Sequence, residues 1–201
     1  MSIRILGVTG PTGAGKSLFS DYLAEKGIPV IDADEVYHKL LIPPSPCLDA
    51  LREAFGDAIL LPDGTLDRPA LSRIVFHDEA KLALLNETVL GMVLDKIRGI
   101  IRVLKRSGAK AVAVDAPTLI ESGFHLECDT VVSVLASPET RLGRIMERDG
   151  LTKEAAESRV RAQKPDDFYR THSHFTLIND GSREELFARG DALFPLLKLP
   201  V

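Results

Sequence analysis

Short apolar runs alternate with an amphipathic stretch at the beginning of the chain. Residues 3–8 are apolar and largely β-branched, which predicts a buried strand, and residues 17–26 have one apolar face and stop at Gly27, which predicts a helix. A second short strand is predicted at 29–31. This strand–helix–strand order predicts a parallel sheet that is covered by helices.

The pattern changes in the middle of the chain. From about 78 to 106, apolar residues recur at spacings of three and four, as they do along one face of a long helix. Gly91 and Gly99 lie inside this stretch and each disfavours a helix by ~1 kcal/mol. We interpret residues from about 37 to 106 as a mostly helical insert in a single domain that spans 1–201, and not as a second independent domain.

Apolar runs that predict strands return after the insert, at 111–115, 130–135 and 175–178. With the first two strands they predict an α/β fold with three layers, in which a five-stranded parallel sheet lies between two layers of helices. A polar and charged stretch at about 150–170 separates the last two strands and predicts a lid.

Composition and charge narrow the class of partner. The chain has 201 residues, 45% of them hydrophobic, with a formal net charge of -4 and a pI of about 5.8. Nucleic-acid-binding domains are usually basic, so we expect no nucleic-acid partner. No apolar run approaches the ~18 residues that a membrane span requires, and we expect a cytoplasmic protein without a membrane partner. Its oligomeric state is left open between a monomer and a small homo-oligomer.

One glycine-rich motif follows the first predicted strand. Gly10-Pro11-Thr12-Gly13-Ala14-Gly15-Lys16-Ser17 matches G-x-x-x-x-G-K-[ST], and a helix is predicted directly after it. Such a loop wraps its backbone N–H groups around phosphate, and the start of the helix adds its positive dipole end. We expect Lys16 to reach the β- and γ-phosphates of ATP and the Ser17 hydroxyl to bind Mg²⁺. The motif predicts a P-loop NTPase fold.

Acidic residues follow two of the predicted strands. Asp32 comes directly after the second strand, where ligands of open α/β sheets bind, and its carboxylate could orient and deprotonate an attacking hydroxyl. Alternatively, Asp32 or Asp34 simply caps the helix that begins near Glu35, and both roles are compatible if Asp34 is the cap and Asp32 the base. Asp115 ends a further strand and is a candidate metal or substrate contact. Its alternative role is a turn residue before Pro117.

Arginines follow at helical spacing before the predicted lid. Arg141, Arg144 and Arg148 lie three and four residues apart, roughly on one face of a helix that ends at Asp149-Gly150. Phosphoryl transfer needs positive charge on the transferred group and exclusion of water, which a closing lid with arginines can supply. A solvated helix surface is the alternative.

Several further segments occur along the chain in a specific order. They are Val30-Ile31-Asp32-Ala33-Asp34, Asp63-Gly64-Thr65-Leu66-Asp67-Arg68, Asp115-Ala116-Pro117-Thr118-Leu119-Ile120-Glu121, Arg148-Asp149-Gly150, Arg159 with Gln163, and Ile178-Asn179-Asp180-Gly181. Together with the glycine-rich loop they resemble the dephospho-CoA kinase family over nearly the whole chain. The loop motif is generic, whereas the ordered set is specific to this family.

The resemblance implies transfer of the ATP γ-phosphate to the 3′-hydroxyl of dephospho-CoA. It implies Asp32 as the base, with Lys16, Arg144 and Arg148 as the groups that stabilise charge. It also implies ATP binding by Gly13, Ala14, Gly15, Lys16, Ser17, Leu18 and Asn179, metal binding by Ser17 and Asp115, and acceptor binding by the insert together with Thr9, Asp34, Arg68 and Glu121.

The chain departs from the family pattern at a few positions. Pro11 replaces a usual glycine, Leu90-Gly91 stands where the family usually has His-Pro, and Thr118 interrupts a Leu-Leu pair. These departures concern the acceptor more than the use of ATP. Two alternatives are therefore kept: a P-loop kinase of another small hydroxyl metabolite, for example one similar to shikimate kinase, and an ATP-binding relative that lacks turnover.

Overall fold

The computed structural model of this chain describes residues 3–75 and 78–199. The chain divides into two compact units, one of Met1–Ile31 with Val103–Val201 and one of Asp32–Arg102. The second unit begins and ends a few residues before the insert predicted at 37–106.

The sheet has five parallel strands, as predicted, and their order is β2-β3-β1-β4-β5. In register, Val8 of β1 lies opposite Asp115 on one side and Val132 on the other. The carboxyl end of β1 therefore lies between those of β3 and β4, at the edge where such sheets bind ligands. The strands are β1 (Arg4–Thr9), β2 (Val30–Asp32), β3 (Ala111–Asp115), β4 (Thr130–Leu135) and β5 (Phe175–Ile178).

The central strands are buried along their whole length. Every residue of β3 and β4 is buried, because helices cover both faces of the sheet. This explains why these strands appear in the sequence as continuous apolar runs. The helices of the first unit are α1 (Lys16–Glu25), α6 (Pro138–Asp149), α7 (Lys153–Arg161), α8 (Asp166–Thr171) and α9 (Arg183–Leu193), so α7 and α8 occupy the stretch predicted as a lid.

The second unit is helical and has a core of its own. Leu41, Cys47, Leu51, Ile59 and Leu71 are buried together in it. The long helix predicted from about 78 to 106 is α5, and its two internal glycines do not interrupt it. The helices that begin in this unit are α2 (Ala33–Leu40), α3 (Pro46–Phe55), α4 (Arg68–Val75) and α5 (Glu79–Arg106). None of the helices in the described part of the chain has the length and apolar character needed to cross a membrane.

Candidate active site

The glycine-rich motif forms a tight loop between β1 and α1. Gly10, Gly13 and Gly15 have φ angles of 140°, 78° and 94°, which residues with a side chain rarely adopt. A Cβ would lie 2.1 Å from the Val134 carbonyl oxygen at Gly10, 2.8 Å from a carbonyl oxygen of α6 at Gly13, and 2.1 Å from Asn179 Nδ2 at Gly15. The three glycines thus let the loop pack closely against three separate segments of the protein itself.

The loop forms one wall of an open groove of about 480 Å³. The opposite wall is supplied by α6, and most of the residues predicted to bind phosphate meet here. The groove is lined by Pro11, Thr12, Gly13, Gly15, Lys16, Ser17, Arg144, Glu147 and Arg148. Ala14 and Leu18, which were also predicted to bind ATP, do not line it. Ala14 is fully buried, and the partly buried Leu18 packs against the main hydrophobic core.

Asn179, directly after β5, holds the loop from outside the groove. It is 2% exposed, and its Nδ2 donates to the Ala14 carbonyl oxygen at 2.8 Å. Because the C=O and N–H of one trans peptide point in opposite directions, this bond turns the Gly15 N–H away from Asn179. Arg144 Nη1 in turn donates to the Asn179 carbonyl oxygen at 2.8 Å. Asn179 therefore fixes the direction of a loop N–H, while its predicted contact with ATP stays a prediction.

A buried carboxylate lies beside the loop lysine. Asp115 ends β3 and is 7% exposed, and its Oδ1 lies 4.0 Å from Lys16 Nζ. Its Oδ2 accepts a hydrogen bond of 2.8 Å from the hydroxyl of Ser20, which is 6% exposed. Lys16 and Ser20 lie four residues apart on α1 and so face the same side of the helix. The structure thus brings Asp115 to the phosphate loop, as its position after a strand predicted.

Sequence reasoning did not identify Ser20. It lies between Phe19 and the buried pair Tyr22 and Leu23, so it was read only as part of an amphipathic helix. A small polar residue on the buried side of a helix needs a hydrogen-bond partner, and that requirement was the available signal.

Two arginines share one carboxylate at the end of α6. Arg148 donates from Nε and Nη2 to the two oxygens of Asp149 at 2.7 and 3.0 Å, and Arg159 Nη1 donates to Oδ2 of the same residue. The bond from Arg148, more than that from Arg159, holds the pKa of Asp149 below its usual range. Arg148 also lines the groove, so a phosphate bound there would compete with Asp149 for this guanidinium.

In the second unit, Asp32 is the N-cap of α2, so of the two residues considered for this cap the structure has Asp32 and not Asp34. Asp32 Oδ1 accepts from the backbone N–H groups of Asp34 and Glu35 at 2.8 and 3.1 Å. The helix begins at Ala33, earlier than predicted, and the capping residue is the one that precedes the first helical residue. Both bonds end on Oδ1, so Oδ2 of this exposed carboxylate takes no part in the cap.

The residues assigned to the acceptor by resemblance are divided between the two units. Thr9 is fully buried, and its hydroxyl lies 3.4 Å from the Pro117 carbonyl oxygen, facing the protein interior. Glu121 is exposed in the first unit, and Asp34 and Arg68 are exposed in the second. Their contact with an acceptor stays a prediction.

Comparison with known proteins gives a consistent result. A family model described as dephospho-CoA kinase matches residues 4–185. A dephospho-CoA kinase of Arabidopsis thaliana is 38% identical over 99% of this chain and 86% of its own length. One from Streptomyces avermitilis is 41% identical over 92% of this chain and 89% of its own length. A crystal structure of a Thermus thermophilus protein superposes with a TM-score of 0.81 at 32% identity and covers 98% of this chain and 100% of that one.

Proposed function

The chain belongs to the dephospho-CoA kinase family, and from that premise we propose how its residues phosphorylate the 3′-hydroxyl of dephospho-CoA with ATP. The observation that carries the proposal is the groove in which the loop glycines, Lys16 and Arg144 converge, with Asp115 beside the lysine. A loop of backbone N–H groups, one lysine and flanking arginines is the donor set that a transferring phosphoryl group needs.

Lys16 supplies the positive charge on the loop side of the groove. Its ammonium group, on the first residue of α1, is assigned to the β- and γ-phosphates of ATP, where it balances the charge that spreads over the transferred oxygens. Arg144 and Arg148, on the facing wall, are assigned to the same charge from the other side. Arg148 would exchange its carboxylate partner for phosphate oxygens as ATP enters.

The donor set fits a magnesium ion. Mg²⁺ is commonly held by one or two carboxylates and a hydroxyl together with substrate phosphates, and it keeps several waters. Ser17 is exposed in the groove and Asp115 supplies the carboxylate, so we assign these two residues to the ion. When bound, Mg²⁺ neutralises charge between the β- and γ-phosphates.

Asp32 is assigned as the general base. Its Oδ1 is committed to the helix cap, whereas Oδ2 can accept the proton of the attacking hydroxyl while the cap holds the carboxylate in one orientation. The helical insert with Asp34 and Arg68, and Thr9 and Glu121 of the other unit, are assigned to the acceptor by family resemblance alone. We further propose a cytoplasmic enzyme, a monomer or small homo-oligomer, that has no nucleic-acid partner.

Acceptor-dependent release of ADP tests this function directly. With Mg·ATP, ADP should form rapidly only when dephospho-CoA is present, and the product should be heavier than the acceptor by one phosphate. Shikimate and other small hydroxyl compounds serve as alternative acceptors. ADP release that dephospho-CoA does not change would contradict the proposal, and a response to another acceptor would favour the alternative kinase.

Ser20→Ala should weaken the binding of Mg²⁺ rather than slow the phosphoryl-transfer step itself. Without the Ser20 hydroxyl, Asp115 loses a hydrogen bond that orients its carboxylate at the metal position. Loss of a hydrogen bond that orients a metal ligand typically costs 10–100-fold in metal affinity, so we expect the Mg²⁺ concentration for half-maximal rate to rise about 10-fold. A magnesium titration at saturating ATP measures this. An unchanged Mg²⁺ dependence would contradict the role of Ser20 in orienting Asp115 for the metal.

A further inference from the structure

Arg141 stands apart from the other two arginines of its helix. It is 4% exposed, whereas Arg144 and Arg148 line the groove. Its Nε donates to the Thr12 carbonyl oxygen at 2.9 Å. Its Nη2 is buried, and nothing in residues 3–75 and 78–199 accepts a hydrogen bond from it. Burial lowers the pKa of this guanidinium, while the negative charge of Asp166 opposes that shift.

A buried guanidinium with an unused donor is unfavourable for stability. Such a group loses its hydration and recovers only part of it through the bonds that it makes. An apolar side chain of similar length would fill the same space without this cost. The hydrogen bond to Thr12 therefore explains an arginine at this position better than its packing in the core does.

The bond from Arg141 fixes the orientation of one peptide group in the phosphate loop. The carbonyl of Thr12 and the N–H of Gly13 belong to the same trans peptide and point in opposite directions. Since the carbonyl points to the Nε of Arg141, whose side chain does not line the groove, the Gly13 N–H points away from that side chain. Asn179 acts on Ala14 in the same way. It holds the Ala14 carbonyl, so the Gly15 N–H points away from Asn179. Backbone N–H groups that converge in such a loop form an anion-binding concavity.

The other end of Thr12 is held as well. Its N–H donates to Oε1 of Gln163 at 3.2 Å, and Gln163 lies between α7 and α8. Both backbone groups of one loop residue are thus held by two side chains that come from different elements. The loop apex cannot turn without breaking one of these bonds.

We infer that Arg141 is a positioning residue for phosphoryl transfer: by holding the Thr12 carbonyl it aims the Gly13 N–H at the phosphate, and with Gln163 it ties the loop apex to the α7–α8 segment. The expected change in kcat rests on the proposed function. The orientation of the loop itself can be measured without turnover.

The test compares two uncharged replacements of equal reach. In Arg141→Gln, Nε2 occupies the place of the arginine Nε and can still donate to Thr12, whereas in Arg141→Met a methyl group stands there. We expect the methionine variant to lower kcat about 10–100-fold, as small misplacements of a reacting group do, with little change in KM for dephospho-CoA. The glutamine variant should stay within a few-fold of the wild type. Arg4→Met, a surface arginine at the opposite end of β1, is the control.

Amide hydrogen exchange at Gly13 and Thr12, followed by NMR with and without ATP, separates the two proposals. In Arg141→Met these amides should exchange faster, and ATP should protect Gly13 less, whether or not the acceptor is turned over.

Wild-type exchange and kcat in Arg141→Met overturn the inference. Equal losses in Arg141→Gln and Arg141→Met also overturn it, because the charge and not the bond to Thr12 would then matter. If Arg141→Met does not fold, Gln163→Leu, at a half-buried site, must speed Thr12 exchange for the inference to stand.

Discussion

Asp32→Asn should lower kcat about 10²–10⁴-fold and leave the affinity for ATP nearly unchanged. The amide keeps the size and shape of the carboxylate but cannot take the proton of the attacking hydroxyl. Asparagine is as good an N-cap as aspartate, and its Oδ1 can still accept from the N–H groups of Asp34 and Glu35. The change therefore removes the base without removing the start of α2. Steady-state kinetics with dephospho-CoA, together with calorimetric titration of ATP, measure both quantities.

Asp78→Asn is the matched control for this experiment. Asp78 lies just before α5, and its Oδ1 accepts from the Lys81 N–H at 3.1 Å, so it has the same capping chemistry at a different helix. We expect its kcat to match that of the wild type. Turnover close to the wild-type value in Asp32→Asn would rule out Asp32 as the base. Equal losses of kcat in both variants would show that a change in the helix cap, and not the removal of a base, lowers the rate.

Lys16→Ala should lower the rate of phosphoryl transfer at least ~10²-fold. Among the described residues that line the groove, Lys16 supplies the only lysine nitrogen. Its charge acts where water is partly excluded, so solvent cannot replace it. Alanine favours helices, and α1 should still begin at this residue. Single-turnover kinetics at saturating ATP and dephospho-CoA isolate the chemical step from weaker binding.

Lys26→Ala provides the control from the same helix. Lys26 follows the last residue of α1 and pairs with Asp191 on the surface at 2.6 Å, a contact worth ~0–1 kcal/mol. Its loss should leave the single-turnover rate unchanged. A near-normal rate in Lys16→Ala would show that the arginines alone balance the transferred charge.

The sheet was predictable because its central strands are buried on both faces. Runs such as 111–115 and 130–135 are mostly apolar, and the strands occupy those same bounds. The phosphate loop was predictable because its motif is continuous in sequence and its chemistry is local. Neither prediction required knowledge of which distant segments meet.

The parts that the sequence did not reveal depend on distant contacts. Arg141, Arg144 and Arg148 share a helical face, yet the first is buried against the loop, the second bonds to Asn179 and the third pairs with Asp149. Spacing along a helix predicts which residues point the same way but not what packs against each of them. The cap of α2 stayed open between Asp32 and Asp34 for a related reason, since the backbone angles of Asp32 decide where the helix begins.

The phosphate loop is encoded near the start of the chain but shaped by its end. Its carbonyl at Ala14 is held by a side chain 165 positions later, and its Thr12 N–H by one 151 positions later. A ribosome completes the whole motif long before it has made Gln163 or Asn179. The first functional element to be synthesised therefore has to wait for most of the chain, because an unfinished chain lacks the contacts that orient its nucleotide-binding amides.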